Sequence, residues 1–302
     1  MIQNPETSIL IPTFNNGKFL IECIGSILKQ EYQNYEIIII DDHSTDNTEL
    51  IVNSLMTIDK RIKYFKNAVE KKGIVSSLNF GIELCKGDFI ARMDADDIML
   101  GQRLKDQITF LKQNFDFSGV GSSMQKIDYT GTFLGDSLVR TDQKECEFLL
   151  LFCNVFVHPT MTIRKDILLK NKYRKRYSYC EDFEMWVRLS RKYKLRNLPQ
   201  VHLGYRIYDS SSRNANALNK QRYNVLKLLS ENLDFHHIQH DERELLIHYS
   251  IFNLNNYIGT GEEVNNWLNK IFESEKITKK FNKIFIQMMK SSILLKLKLK
   301  VG

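Results

Sequence analysis

The chain has 302 residues, 43% hydrophobic and 11% aromatic, with a formal net charge of +7 at pH 7 and a sequence pI near 9.0. That is enough apolar material for one large α/β domain with a smaller appendage, and it excludes a disordered chain. The positive balance suits an anionic partner (a nucleotide, a phospholipid surface or nucleic acid) without choosing among them.

The elements then follow in order. Ser8 to Pro12 is a short apolar strand, and Phe19 to Gln30 carries a helical stripe at Leu20, Ile24, Ile27 and Leu28. Tyr35 to Ile40 is a β-branched run ending in Asp41-Asp42, the pattern of a strand buried on both faces. Ser44 and Thr45 are expected to cap a helix running through Leu50 to Met56. A strand at 62–65, a helix at 74–85, a strand at 88–93 and a helix marked by Leu104, Ile108 and Leu111 continue the alternation. This βαβα order predicts a parallel sheet covered by helices, with ligands beyond the carboxyl ends of its strands. Further on, 120–127 and 133–139 read as a hairpin, 156–163 as a strand and 181–193 as a helix. Beyond about residue 215 the pattern is helical and rich in Asn and Lys.

Cys23, Cys85, Cys146, Cys153 and Cys180 show neither a CxxC pair nor metal-ligand spacing, which reads as reduced thiols in a cytosolic protein. The first residues lack the basic and apolar regions of a secretion signal, and no apolar run is long enough for a membrane span. The expectation is a soluble or peripheral protein.

Three acidic clusters stand where strands end: Asp41-Asp42, Asp94-Ala95-Asp96-Asp97 and Glu181-Asp182. Carboxylates packed this closely repel one another unless a positive group holds them. A hard divalent ion bridging carboxylates to a diphosphate is one solution, and ordinary turn chemistry is the plain alternative for an isolated pair. The element following the apolar strand 88–93 favours the metal.

These segments resemble the family 2 glycosyltransferases, whose catalytic domain has the nucleotide-diphospho-sugar transferase fold called GT-A. The matching stretches are Ser8 to Asn15, Ile40 to Thr48, Gly73 to Gly81, Ile90 to Asp97, His158-Pro159-Thr160 and Glu181 to Trp186. The resemblance implies a GT-A domain over 1–214, with a nucleotide-binding half at about 1–100 and an acceptor-binding half at about 101–214. A helical, lysine-rich region then occupies 215–302. It also implies an inverting, metal-assisted transfer of a hexose or N-acetylhexosamine from a UDP-sugar to a glycan or lipid-linked oligosaccharide.

Roles follow by matching position. Pro12, Thr13, Phe14, Asn15 and Asp42 fall where the family cradles the base and ribose, with Asp42 suited to accept the uracil N–H. Asp94, Ala95 and Asp96 match the D-x-D element that holds Mn²⁺ or Mg²⁺ on the diphosphate, Asp96 being the favoured direct ligand. Asp182 matches the catalytic base that takes the acceptor's proton. Asp97 either reaches the donor sugar or caps the next helix, and Glu181 lies beside the base in the same first turn. Trp186, one turn beyond Asp182, either walls the acceptor or packs in the core. His158 is expected to support the acceptor side, and Arg92 to neutralise the acidic element. In one departure, Tyr208 stands where many relatives carry a His that helps hold the metal or diphosphate. Arg206 or Arg213 is then expected at the phosphates instead.

From Lys276 to Gly302 there are eight lysines and no Asp or Glu, interleaved with leucine and isoleucine. Such a helix suits an anionic bilayer surface, or is a solvated cover on the protein. The expected location is therefore cytoplasmic, with or without attachment to the inner face of the membrane. A nucleic-acid-binding protein is disfavoured because no aromatic-basic motif or zinc spacing appears. A nucleotidyltransferase of related fold is disfavoured because Thr13-Phe14-Asn15-Asn16-Gly17 replaces the Gly-rich basic loop expected after the first strand.

Overall fold

The computed structural model describes residues 4–67, 72–208, 215–253 and 258–301, with side chains up to residue 295 and at 297. Two compact units emerge: one built from 1–146, 155–175 and 181–213, the other from 147–154, 176–180 and 214–302.

The first unit centres on a nine-stranded sheet ordered β3-β2-β1-β4-β8-β6-β9-β5, with β7 paired to β6. Strands β1 (Thr7–Thr13), β2 (Tyr35–Asp41), β3 (Ile62–Lys66) and β4 (Phe89–Arg92) are parallel and alternate with α1 (Gly17–Leu28), α2 (Thr48–Ile58) and α3 (Ile74–Leu84). The continuous apolar runs of β1 and β2 arise because both faces are covered. On one face Ile9, Ile11, Ile37 and Ile39 pack with Leu20, Ile24 and Val52 of the first two helices. On the other, Gly81 of α3 comes so close to Leu10 and Ile40 that a Cβ there would collide with both.

Beyond β4 the sheet becomes mixed. The short strand β5 (Ile98–Met99) and helix α4 (Arg103–Gln113) precede β6 (Phe117–Ile127), which forms the expected hairpin with β7 (Phe133–Ser137). After α5 (Gln143–Leu149), β8 (Thr162–Arg164) runs antiparallel to both β4 and β6. Helices α6 (Lys165–Lys170) and α7 (Glu181–Ser190) lead to β9 (Lys194–Arg206), parallel to β6 and antiparallel to β5.

Three local expectations change. Helix α2 starts at Thr48, and its N-cap is Asn47 rather than Ser44 or Thr45. Those two instead bond Asp41 and Asn15 across the preceding loop. The stretch 156–163 is strand only from Thr162, because His158–Thr160 forms a 3₁₀ turn around Pro159, which has no N–H to give a ladder. Helix α7 ends at Ser190, short of 193.

The second unit holds α8 (Ala215–Phe235), α9 (Glu242–Ser250), α10 (Gly261–Glu273), α11 (Glu275–Lys280) and α12 (Lys283–Val301), with no strand among its described residues. Asp241 with Glu244 and Thr260 with Glu263 form reciprocal capping boxes at the starts of α9 and α10, each contributing about 1 kcal/mol. Its core is aromatic, with Phe148 ringed by Phe152, Phe272, Phe281 and Phe285. The five cysteines form no disulfide.

His248 is fully buried in this unit, where Trp267 Nε1–H donates to its Nδ1 over 3.2 Å and its Nε2 bonds Leu151 O over 2.8 Å. These partners fit one neutral tautomer, since a second proton on Nδ1 would face the indole N–H. Burial is the main reason the imidazole pKa falls from 6.5 to about 4. A base with a depressed folded pKa binds its proton more readily in the unfolded chain. Its stabilisation is therefore complete above about pH 6.5 and is lost as pH falls towards 4. Urea denaturation should show the wild type losing about 2–3 kcal/mol more than His248→Gln between pH 7 and pH 4. Equal losses would contradict the locked tautomer.

Candidate active site

Three groups of residues gather at the carboxyl ends of the parallel strands and beside them. The first is a pair of loops following β1 and β2. Asn15 N–H donates to Ser44 Oγ, Thr45 N–H donates to Asn15 Oδ1, and Gly17 N–H donates to Asp46 Oδ2. Gly17 is required here, because a Cβ would meet Asn47 Oδ1 and the Thr48 amide. Asn15 and His43 both adopt left-handed backbone conformations, with φ of 54° and 65°, a geometry held by the surrounding bonds. Pro12 and Thr13 are buried while Phe14 and Asn15 are exposed.

The two acids after β2 have separate tasks. Asp41 is buried and saturated, accepting from the Ser44 amide and hydroxyl and from Tyr64 Oη. Asp42 accepts from Asn67 Nδ2 over 3.0 Å and from the Gly73 amide over 2.8 Å. Gly73, at φ 117°, is the N-cap of α3, so Asp42 fixes the start of that helix while remaining half-buried.

The acidic element after β4 alternates: Asp94 and Asp96 are partly exposed, whereas Ala95 and Asp97 are buried. Arg92, itself buried, forks both oxygens of Asp94, with Nη1–Oδ2 at 2.8 Å and Nη2–Oδ1 at 2.5 Å. Burial works against the charge on Arg92, and Asp94, together with Tyr173 and Asp97, more than offsets it. Asp96 Oδ2 accepts from the Tyr208 hydroxyl over 2.6 Å. Asp97 Oδ1 accepts the Arg206 amide over 2.9 Å, while its buried Oδ2 has no partner. Burial, followed by the charges of Asp94 and Asp96, pushes Asp97 well above the ordinary carboxylate range. Burial and then Asp94 raise Asp96 as well. Among the described residues Arg92 alone forms an ion pair with these three carboxylates, a condition that suits a hard divalent cation. Among the described residues no set of three or more His, Cys, Asp or Glu side chains is arranged to hold a metal.

Arg206 does not face open space. Its Nε bonds Asp96 O, Nη1 bonds Asp128 O and Tyr129 O, and Nη2 pairs with Glu22 at 2.6 Å. The guanidinium expected at the phosphates is a clamp on the acidic loop, tying it to α1 and the β6–β7 turn. Arg213, the alternative, lies outside the described residues.

The third group surrounds α7. Glu181 and Asp182 occupy its first turn, Asp182 half-buried. Trp186 is fully buried and meets Phe156 and His158 edge-on at 6.2 and 5.8 Å, which is the packing alternative of the two readings. His158 is buried and bonds Tyr173 Oη at 2.8 Å; burial, then Arg92, holds its pKa well below 6.5, so the ring is neutral. Tyr173 carried no sequence signal. Asn79 clamps its backbone from both sides at 2.9 Å. Its hydroxyl feels Arg92 as well as Asp182 and Glu181. Two contacts are thus present, Asp94 with Arg92 and His158 with Tyr173, and the charges of Arg92 and Asp182 act on the second pair through space. The histidines at 236, 237 and 240 are not part of this group; His240 bonds Ser230.

Arg206→Met would remove the guanidinium donor from Glu22 and from the Asp96 and Tyr129 carbonyls, and leave Asp128 O with the Gly131 amide alone. Stability should fall by at least about 2 kcal/mol in chemical denaturation. A loss below 0.5 kcal/mol, roughly the scale of a surface substitution, would show that the clamp does not hold the loop.

The chain is similar to several known proteins. The family model described as "Glycosyl transferase family 2" matches residues 8–171. The O-antigen biosynthesis glycosyltransferase WbnJ of Escherichia coli is 31% identical over 215 residues, spanning 68% of this chain and 81% of its own. S. aureus TarS residues 1–349, solved in complex with UDP-GlcNAc, superposes with a TM-score of 0.61 at 16% identity, covering 96% of this chain and 88% of that one. The mannosyltransferase PcManGT from Pyrobaculum calidifontis, solved with GDP-Man and Mn²⁺, gives 0.58 at 12% identity, covering 98% and 87%.

Proposed function

The chain belongs to glycosyl transferase family 2 and has the GT-A fold, and from that premise we propose that it is an inverting transferase acting on a UDP-sugar. The single observation that carries this reading is the electrostatic imbalance of Asp94, Asp96 and Asp97 at the end of β4. Among the described residues, only Arg92 offsets their charge with a side-chain ion pair.

In this reading Asp96 and Asp94 hold Mn²⁺ or Mg²⁺, which supplies Lewis-acid stabilisation to the leaving diphosphate. Ala95 and the loop 12–15 border the nucleotide, with Asp42 keeping the α3 terminus in place or meeting the base. Asp182 accepts the proton of the acceptor hydroxyl as its oxygen bonds the anomeric carbon. The bond from that carbon to the diphosphate breaks in the same displacement, so the anomeric configuration inverts. His158 and Tyr173 bond each other, and the charges of Arg92 and Asp182 act on that pair through space.

We place the acceptor among glycans and lipid-linked oligosaccharides, in keeping with the O-antigen role in the name of WbnJ. Support for a membrane surface comes from α12. Ile286, Met289, Ile293 and Leu297 are buried on one side, while Ile284, Met288 and Leu295 are exposed. At helical spacing those three form a second apolar stripe, on the same helix as the exposed Lys283. Apolar and basic groups presented together suit an anionic bilayer. No helix among the described residues is long and apolar enough to cross a membrane.

Asp182→Asn should retain UDP affinity and lose transfer by at least about 100-fold, measured by UDP release and by the anomeric configuration of the product. Near-normal turnover would remove Asp182 from the base role. Ile284→Ser/Met288→Ser should sediment less with phosphatidylglycerol vesicles than the wild type. Unchanged sedimentation would make α12 a plain cover.

A further inference from the structure

Tyr208 is 44% exposed, yet its hydroxyl is committed to Asp96 Oδ2. The ring meets Phe19 edge-on at 6.3 Å, and Phe19 lies 4.6 Å from the Arg206 guanidinium, whose Nε holds the Asp96 carbonyl. The clamp that fixes the acidic loop therefore also supports the ring that reaches back to it. Among the described residues, Asp96 is left with one carboxylate oxygen, Oδ1, that no other side chain engages. Asp94 is constrained in a different way, since Arg92 forks both of its oxygens.

We infer that Tyr208 sets which cation the site accepts, by restricting Asp96 to ligation through a single oxygen. Calcium takes six to eight oxygens and commonly draws on both oxygens of one carboxylate. Magnesium takes six in near-octahedral geometry and keeps waters for the remainder. A site in which Arg92 engages both oxygens of Asp94 and Tyr208 engages one oxygen of Asp96 disfavours the larger ion. The inference rests on the proposal that Asp96 ligates the metal, and it adds a specificity-determining residue that does not itself touch the ion.

The test is calorimetric titration of UDP into the full chain and into Tyr208→Phe, with Mg²⁺, with Ca²⁺ and with neither. Thermal midpoints without metal serve as the check on folding. In the wild type Mg²⁺ should promote UDP binding more than Ca²⁺ does. In Tyr208→Phe the affinity with Ca²⁺ relative to Mg²⁺ should rise about tenfold, the scale of one charge-assisted hydrogen bond. A ratio unchanged within threefold, or shifted towards Mg²⁺, overturns the role of Tyr208 while leaving the ligand assignment standing. If the wild type shows no metal-dependent UDP binding, the assignment of Asp96 fails and the inference with it.

Discussion

Three carboxylates within four residues, set at the end of a central strand and partly or wholly out of water, repel one another, and much of the first unit is arranged around that repulsion. Arg92 reaches forward from β4 to fork Asp94, Tyr208 donates to Asp96, and the Arg206 amide donates to Asp97. In the turn after β4, where Asp97 N–H bonds Asp94 O, Asp94 and Asp96 stay partly exposed while Asp97 is buried, so the element is both presented and anchored. Burying Asp97 with an unpartnered oxygen is costly, and such costs are typical of a site kept ready for a ligand rather than tuned for stability.

The mixed half of the sheet supplies the anchor. Because β9 runs parallel to β6 and also pairs with β5, its last residue arrives beside the loop that directly precedes β5. Arg206 there gathers α1, the β6–β7 turn and the acidic loop into one knot of bonds. Antiparallel β8 does the same service on the other side: Arg92 N–H bonds Met161 O, bringing the His158–Thr160 turn beside the Arg92 guanidinium. His158 in that turn bonds Tyr173, which Asn79 of α3 holds by its backbone.

What could be read from the sequence follows from what each element's neighbours demand. Strands β1 and β2 are covered on both faces, and double burial writes an unbroken apolar run. The acidic element was legible because charged residues directly after such a run are conspicuous. Strand β9 was not, since Pro199 and the polar residues around it interrupt the alternation, and its register with β6 shifts between Ser122 and Ser123. Arg206 was singled out but aimed at the wrong neighbours, because its four partners lie 77 to 184 residues away. Tyr173 is placed by Asn79, 94 residues earlier, a pairing no local pattern encodes. The caps expected at Ser44 and Thr45 failed for a similar reason: Asp41 and Asn15 compete for the same side chains, and the helix waits until Thr48.

Family and fold make the chain a glycosyltransferase, while the acidic loop is the physical reason to assign it a nucleotide diphosphate and a divalent ion. The most direct measurement is calorimetric titration of UDP, with GDP and CDP as controls, in the presence and absence of Mn²⁺. Binding of UDP that strengthens at least tenfold with Mn²⁺ and exceeds that of the other two nucleotides is the expected result. Absence of binding by any nucleoside diphosphate, or UDP binding indifferent to Mn²⁺, would contradict the role given to Asp94 and Asp96.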